Sequence, residues 1–145
     1  MRNEIEQILS AIQGLQIWAA GHAANMLWLQ IGNRQIVPAW GGATKEVGTY
    51  ALHIDCPWSW SFNGTLLATQ ESETQQLNEL VSLPVVCQRI AVQDNGSFEI
   101  HFDNQTKFSV HVEADPDPLA KEFWRFFQPS CHAKHFIVGS GGIVE

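Results

Sequence analysis

Charge is scarce in this chain. Only 16% of its 145 residues are Asp, Glu, Lys or Arg, against about 25% in an average globular domain. Basic side chains are the scarcest: eight Lys and Arg stand against fifteen Asp and Glu, for a net charge of −7. That deficit argues against a nucleic-acid partner, whose phosphates would be repelled, and against an anionic membrane face. Long apolar runs are missing too. The longest, Ile17 to Ile31, is interrupted by Gly21, His22, Asn25 and Gln30, too short and too polar for a bilayer span. The opening Met-Arg-Asn-Glu has no apolar segment of the kind a signal peptide needs. Cysteine is limited to Cys56, Cys87 and Cys131, which cannot all pair. A cytoplasmic protein with free thiols is the expectation.

Chemical signatures are equally thin. Gly41-Gly42-Ala43-Thr44-Lys45 lacks both the first glycine and the Gly-Lys-Ser/Thr ending of a phosphate loop. Cys131, His132 and His135 lie close together but have no CxxC partner, so neither a metal site nor a cofactor is expected. His53 and Cys56 stand three apart, which on a regular strand points them to opposite faces. A catalytic nucleophile is therefore not expected.

What charge there is clusters. Residues 71–122 hold ten of the fifteen carboxylates and three of the eight basic side chains, so this segment alone accounts for the net −7. Within it, Glu113-Ala114-Asp115-Pro116-Asp117-Pro118 carries prolines that stiffen the backbone and keep it out of a sheet.

The apolar pattern predicts one domain. Ile5, Ile8, Leu9 and Ile12 recur at helical spacing behind Asn3, with Glu6 placed as in a capping box. Strands are expected over Leu15–Ala20, Asn25–Ile31, Gln35–Val37, Thr49–Asp55 and Trp58–Phe62. Pro57 should mark a bulge, an edge or a break, and Asn63-Gly64 a turn into Leu66-Leu67-Ala68. Glycines 41, 42 and 48 read as a loop. Thr69–Leu83 reads as an exposed loop leading into one or two helical turns. Residues 85–113 form a three-strand meander, in which Asp94-Asn95-Gly96 places Val92 opposite Phe98 and Ile90 opposite Ile100. The next loop, Asn104-Gln105-Thr106, would place Phe102 opposite Phe108 and Glu99 opposite His111. Leu119–Phe127 reads as a short amphipathic helix, and His135–Val138 as a last strand before a mobile Gly139-Ser140-Gly141-Gly142. The fold class is α+β: a mainly antiparallel sheet (meander, sandwich or half-barrel) with an N-terminal helix and one or two short helices.

Six tryptophans are many for this length. Trp18 and Trp28 read as core. Trp58 and Trp60 share one face of a strand; their size suits the core, and on a surface they would suit a binding hot spot.

Four stretches resemble a set of small bacterial proteins without an assigned reaction: Asn25–Gly32, Val47–Trp58 with its Leu52-His53-Ile54-Asp55-Cys56-Pro57-Trp58 element, Glu122–Phe127 and His135–Val138. An Arg often follows the Trp of that element; Ser59 stands here instead. In character the chain also resembles immunity proteins of bacterial toxin systems, contact-dependent inhibition among them. That resemblance implies a non-enzymatic protein that binds a basic, nuclease-like toxin domain. The residues expected to meet such a partner are Glu113, Asp115 and Asp117, then Glu71 and Glu73, with Trp58 or Trp60 as anchor. The competing expectation is a small-molecule site lined by Trp58 or Trp60, His53 and Cys56.

Overall fold

The computed structural model describes residues 1–83, 85–113 and 121–144. The chain opens with α1 (Arg2–Leu9), extended by a 3-10 turn over Ser10–Ile12. The helix begins two residues earlier than the capping-box reading predicts. Its N-cap is Met1, without a side-chain bond, because Glu6 pairs instead with Arg2 one turn back (3.0 Å), an i,i+4 partner on the same face. Ile5, Leu9 and Ile12 are fully buried.

Strands β1 (Gln16–Ala23), β2 (Met26–Ile31), β3 (Gln35–Pro38), β4 (Thr44–Val47), β5 (Tyr50–Ile54), β6 (Trp58–Phe62) and β7 (Thr65–Thr69) follow. Then come α2 (Thr74–Val81), β8 (Val85–Val92), β9 (Phe98–Phe102), β10 (Thr106–Val110), β11 (Glu122–Phe127), β12 (Phe136–Gly139) and β13 (Gly142–Val144). Eleven strands form one antiparallel sheet in the order β13-β12-β11-β5-β2-β1-β8-β9-β10-β6-β7, while β3 and β4 make a separate ribbon. The expected α+β class with a mainly antiparallel sheet is the one observed.

The sheet folds on itself. Its two halves join where β1 and β8 begin, Gln16 opposite Val86 and Ile17 opposite Val85. Trp124 of β11, five places from β9 in the sheet, nevertheless meets Phe98 edge-on at 4.9 Å. Its Nε1–H donates to the Gly96 carbonyl at 3.0 Å, which satisfies the polar atom of a side chain with no exposure at all. The alternating strands supply the core between the halves: Leu27, Leu29 and Ile31 from β2, Phe98, Ile100 and Phe102 from β9. α1 lies against β8 and α2 against β1. The chain crosses between halves at Asp55-Cys56-Pro57, where the Asp55 N–H donates to Phe123 and the Pro57 carbonyl accepts from His111, both at 2.8 Å. A residue without an N–H costs nothing at a corner outside the ladder.

Four sequence expectations need correction. Leu119 and Ala120 lie outside the described residues, but Glu122–Phe127 is a strand between β5 and β12, not a helix. Aromatics favour the pleated sheet, and two-residue alternation sends Trp124 and Phe126 inward while Arg125 is only half-buried. The β9–β10 register also differs: Phe108 faces Ile100 and Ser109 faces Glu99, because Gln105 takes a left-handed φ of 67° and the three-residue loop falls one position earlier, at Asp103-Asn104-Gln105. A two-residue slip keeps every side chain on its intended face. Finally, the glycine-punctuated loop contains β4, and the carboxyl-terminal glycine run turns into β13.

Candidate functional site

The first candidate site is an end of the folded sheet. Val92 faces Phe98, Phe98 faces Val110, Val110 faces Trp58 and Ser59 faces Thr69. These registers align one end of β8, β9, β10, β6 and β7. The connections leaving that end carry Asp94, Glu113, Asp55 and Glu71, all exposed. Gly96, at φ 94°, supplies the left-handed residue of the Asp94-Asn95-Gly96 loop, a conformation glycine adopts without steric cost. Two cations share the end. Arg2 reaches Asp94 at 3.6 Å, and Lys121 lies near enough to Cys56 to offset part of the field of Asp55 and Glu113.

Other carboxylates of the acidic segment are engaged elsewhere. Glu99 pairs with Lys107 at 2.9 Å, Glu122 pairs with Arg125, and Asp103 accepts the Val86 N–H at 3.1 Å. Glu73 caps α2: its carboxylate accepts the Gln76 N–H in a reciprocal capping box. Of the sequence-predicted partner residues, Glu71 and Glu113 share this end, Glu73 opens the adjoining helix, and Asp115 and Asp117 lie outside the described residues.

Trp58 and Trp60 are not anchors. They are 2% and 1% exposed and pack on Phe108 and Phe102 between the half-sheets. Inward phase on β6 removes them from any surface. The cavity expected from Trp58 or Trp60, His53 and Cys56 is likewise not formed. Cys56 is buried, and burial, then the charge of Asp55, pushes its thiol up to about 12. His53 sits on the opposite, outer face of β5.

There it joins a second candidate site, one that core-filling logic missed. Met26, Trp28 and Gln30 alternate outward on β2, half-buried. Trp18, at the bulge opposite Ile31 and Gln30, joins them on that face. The Trp28 indole lies over Gly21, directly across the ladder; a Cβ at position 21 would stand 2.5 Å from the ring. The β3–β4 ribbon arches over this face and leaves a groove of about 440 Å³ lined by Trp18, Trp28, Gln30, Lys45, Glu46 and His53, among others. A glycine facing a tryptophan across a tight turn was the sequence signal available, but it needed the β1–β2 register to be read.

The electrostatics of this face run against those of the molecule. The Arg34 guanidinium stacks on Trp18 at 4.4 Å. Arg125, opposite His53, is held by Glu122 and donates to His135 Nδ1 at 2.9 Å. His135 stacks on Phe127 at 4.2 Å, and Phe127 meets His53 edge-on at 4.7 Å. Burial first, then the charge of Arg125, lowers the His53 pKa, so its imidazole is neutral at neutral pH.

Among the described residues, no group of three His, Cys, Asp or Glu could hold a metal ion, and no helix is long and apolar enough to cross a membrane. No protein-family model matches the chain, and no match is found among curated proteins or among solved structures.

Proposed function

We propose that this protein is an immunity-type binder that neutralises a basic, nuclease-like toxin domain with the acidic end of its folded sheet. The observation that carries the reading is the convergence of registers that brings Asp55, Glu71, Asp94 and Glu113 to one end of a rigid scaffold. Asp115 and Asp117 follow Glu113 in the chain and extend the same acidic run in sequence. A toxin cleft built for phosphates presents Lys and Arg, and carboxylates fixed on turns can occupy the positions of those phosphates. Complementary fields of this kind act mainly on encounter rate and partner choice. The binding set is therefore Asp55, Glu71, Asp94 and Glu113, with Asp115 and Asp117 as its extension in sequence and without Trp58 and Trp60.

The test is affinity capture from the parent bacterium with the wild-type chain and with a Glu71→Lys/Glu113→Lys variant, at low and high salt. A basic nuclease-like domain retained by the wild type at low salt, and lost by the variant, is the expected result. Equal retention by both proteins at low salt would overturn the assignment of the site.

A further inference from the structure

We propose that the groove between the outer face of β1, β2 and β5 and the β3–β4 ribbon is a binding site for a planar aromatic carboxylate. Its volume, about 440 Å³, falls in the range of small-molecule sites, which combine apolar walls with a few convergent polar groups. Trp18 and Trp28 supply the walls. Gly21 has no side chain, and Trp28 occupies the space one would fill.

The polar groups on offer are chiefly donors. Trp18 Nε1–H is buried without a hydrogen-bond partner, which is uncommon for a buried indole. The Gln30 side-chain oxygen already accepts the Gly48 N–H at 2.8 Å, leaving its amide hydrogens as donors. Lys45 has no carboxylate partner among the described residues. A ligand that satisfies Gln30 and Lys45 must bring acceptors.

Charge points the same way. Three of the chain's eight basic side chains, Arg34, Lys45 and Arg125, border this face, against Glu46 and Glu122. The local balance is positive on a molecule of net −7. An aromatic ring between the indoles with its carboxylate toward Lys45 meets both requirements. A cationic ring would face the positive side chains, and a neutral ring would leave Lys45 unpaired. This site is separate from the acidic end, and its test does not depend on any protein partner.

The experiment is calorimetric titration with indole-3-carboxylate, indole and tryptamine, repeated on Lys45→Gln, together with the indole N–H resonances of the six tryptophans. The expected order of affinity is carboxylate, then indole, then tryptamine, with the carboxylate binding more tightly than about 1 mM. Lys45→Gln, an exposed substitution that leaves the fold intact, should weaken the carboxylate by about threefold and leave indole unchanged. The Trp18 and Trp28 resonances should move. Absence of saturable binding by the carboxylate, tryptamine binding as tightly as the carboxylate, or shifts confined to other tryptophans would overturn the proposal.

Discussion

Cys56, Cys87 and Cys131 differ by burial rather than by chemistry. Burial pushes the first two thiols up to about 12 from an ordinary 9.0, while Cys131 is exposed. Because the thiolate is the reactive form, Cys131 alone should be alkylated in the native protein at mildly alkaline pH. Mass spectrometry of labelled peptides checks this; native labelling of Cys56 would contradict its burial. The sign of the linked stability follows from the direction of the shift. A folded-state pKa above the unfolded one favours folding fully below pH 9, and that contribution is lost as pH climbs from 9 toward 12. Urea titrations across that window should show falling midpoints, and a Cys56→Ala/Cys87→Ala double variant should show a flatter decline. The side chains most readily misjudged from sequence are of this kind. Trp18 and Trp28 have the size of core residues yet face outward, and Trp58 and Trp60, equally large, face inward. Only strand phase decides, and phase at Trp18 is set by a bulge that no local residue announces.

At the scale of elements, the roles of the two loop carboxylates before α2 separate. Glu73 holds the helix start through its capping box, whereas the side chain of Glu71 bonds nothing among the described residues. Glu73→Ala should cost about 1 kcal/mol and Glu73→Ser much less, while Glu71→Ala should fall within about 0.5 kcal/mol of the wild type. Urea unfolding of the three variants distinguishes them. How legible each element was depended on how local its determinants are. Val92 opposite Phe98 and Ile90 opposite Ile100 could be read from alternation and one left-handed glycine. The Asn63-Gly64 turn, with both φ values positive, was equally local. β11 was not, because Glu-Phe-Trp-Arg-Phe-Phe satisfies a helical face as well as a strand, and only the open edge of β5 selects the strand. The acidic end was half legible. Composition located the charged segment, but Asp55 joins it only through the pairing of β6 with β10.

Over the whole molecule, the exposed edge of β7 stands out. From Cys56 to Gln70 the chain carries no charged side chain. Phe62, Leu66 and Leu67 are 40%, 59% and 38% exposed on that hairpin. Sheets ordinarily guard such edges with lysine or proline; here the guard is a bulge between Trp60 and Ser61. Leu66→Lys should leave the unfolding free energy within about 0.5 kcal/mol of the wild type and reduce light scattering on prolonged warming. Unchanged scattering would place the aggregating surface elsewhere.

The crossing at Asp55-Cys56-Pro57 has a kinetic consequence. It commits β5 to one half-sheet and β6 to the other, yet the partners that complete them, β11 beside β5 and β10 beside β6, are synthesised long afterwards. Trp60 must wait for Phe108, and Leu52 for Phe126. Such non-local closure slows folding: β5 meets β2 and β6 meets β7 early, but each keeps one bare flank on the ribosome until β11 and β10 follow.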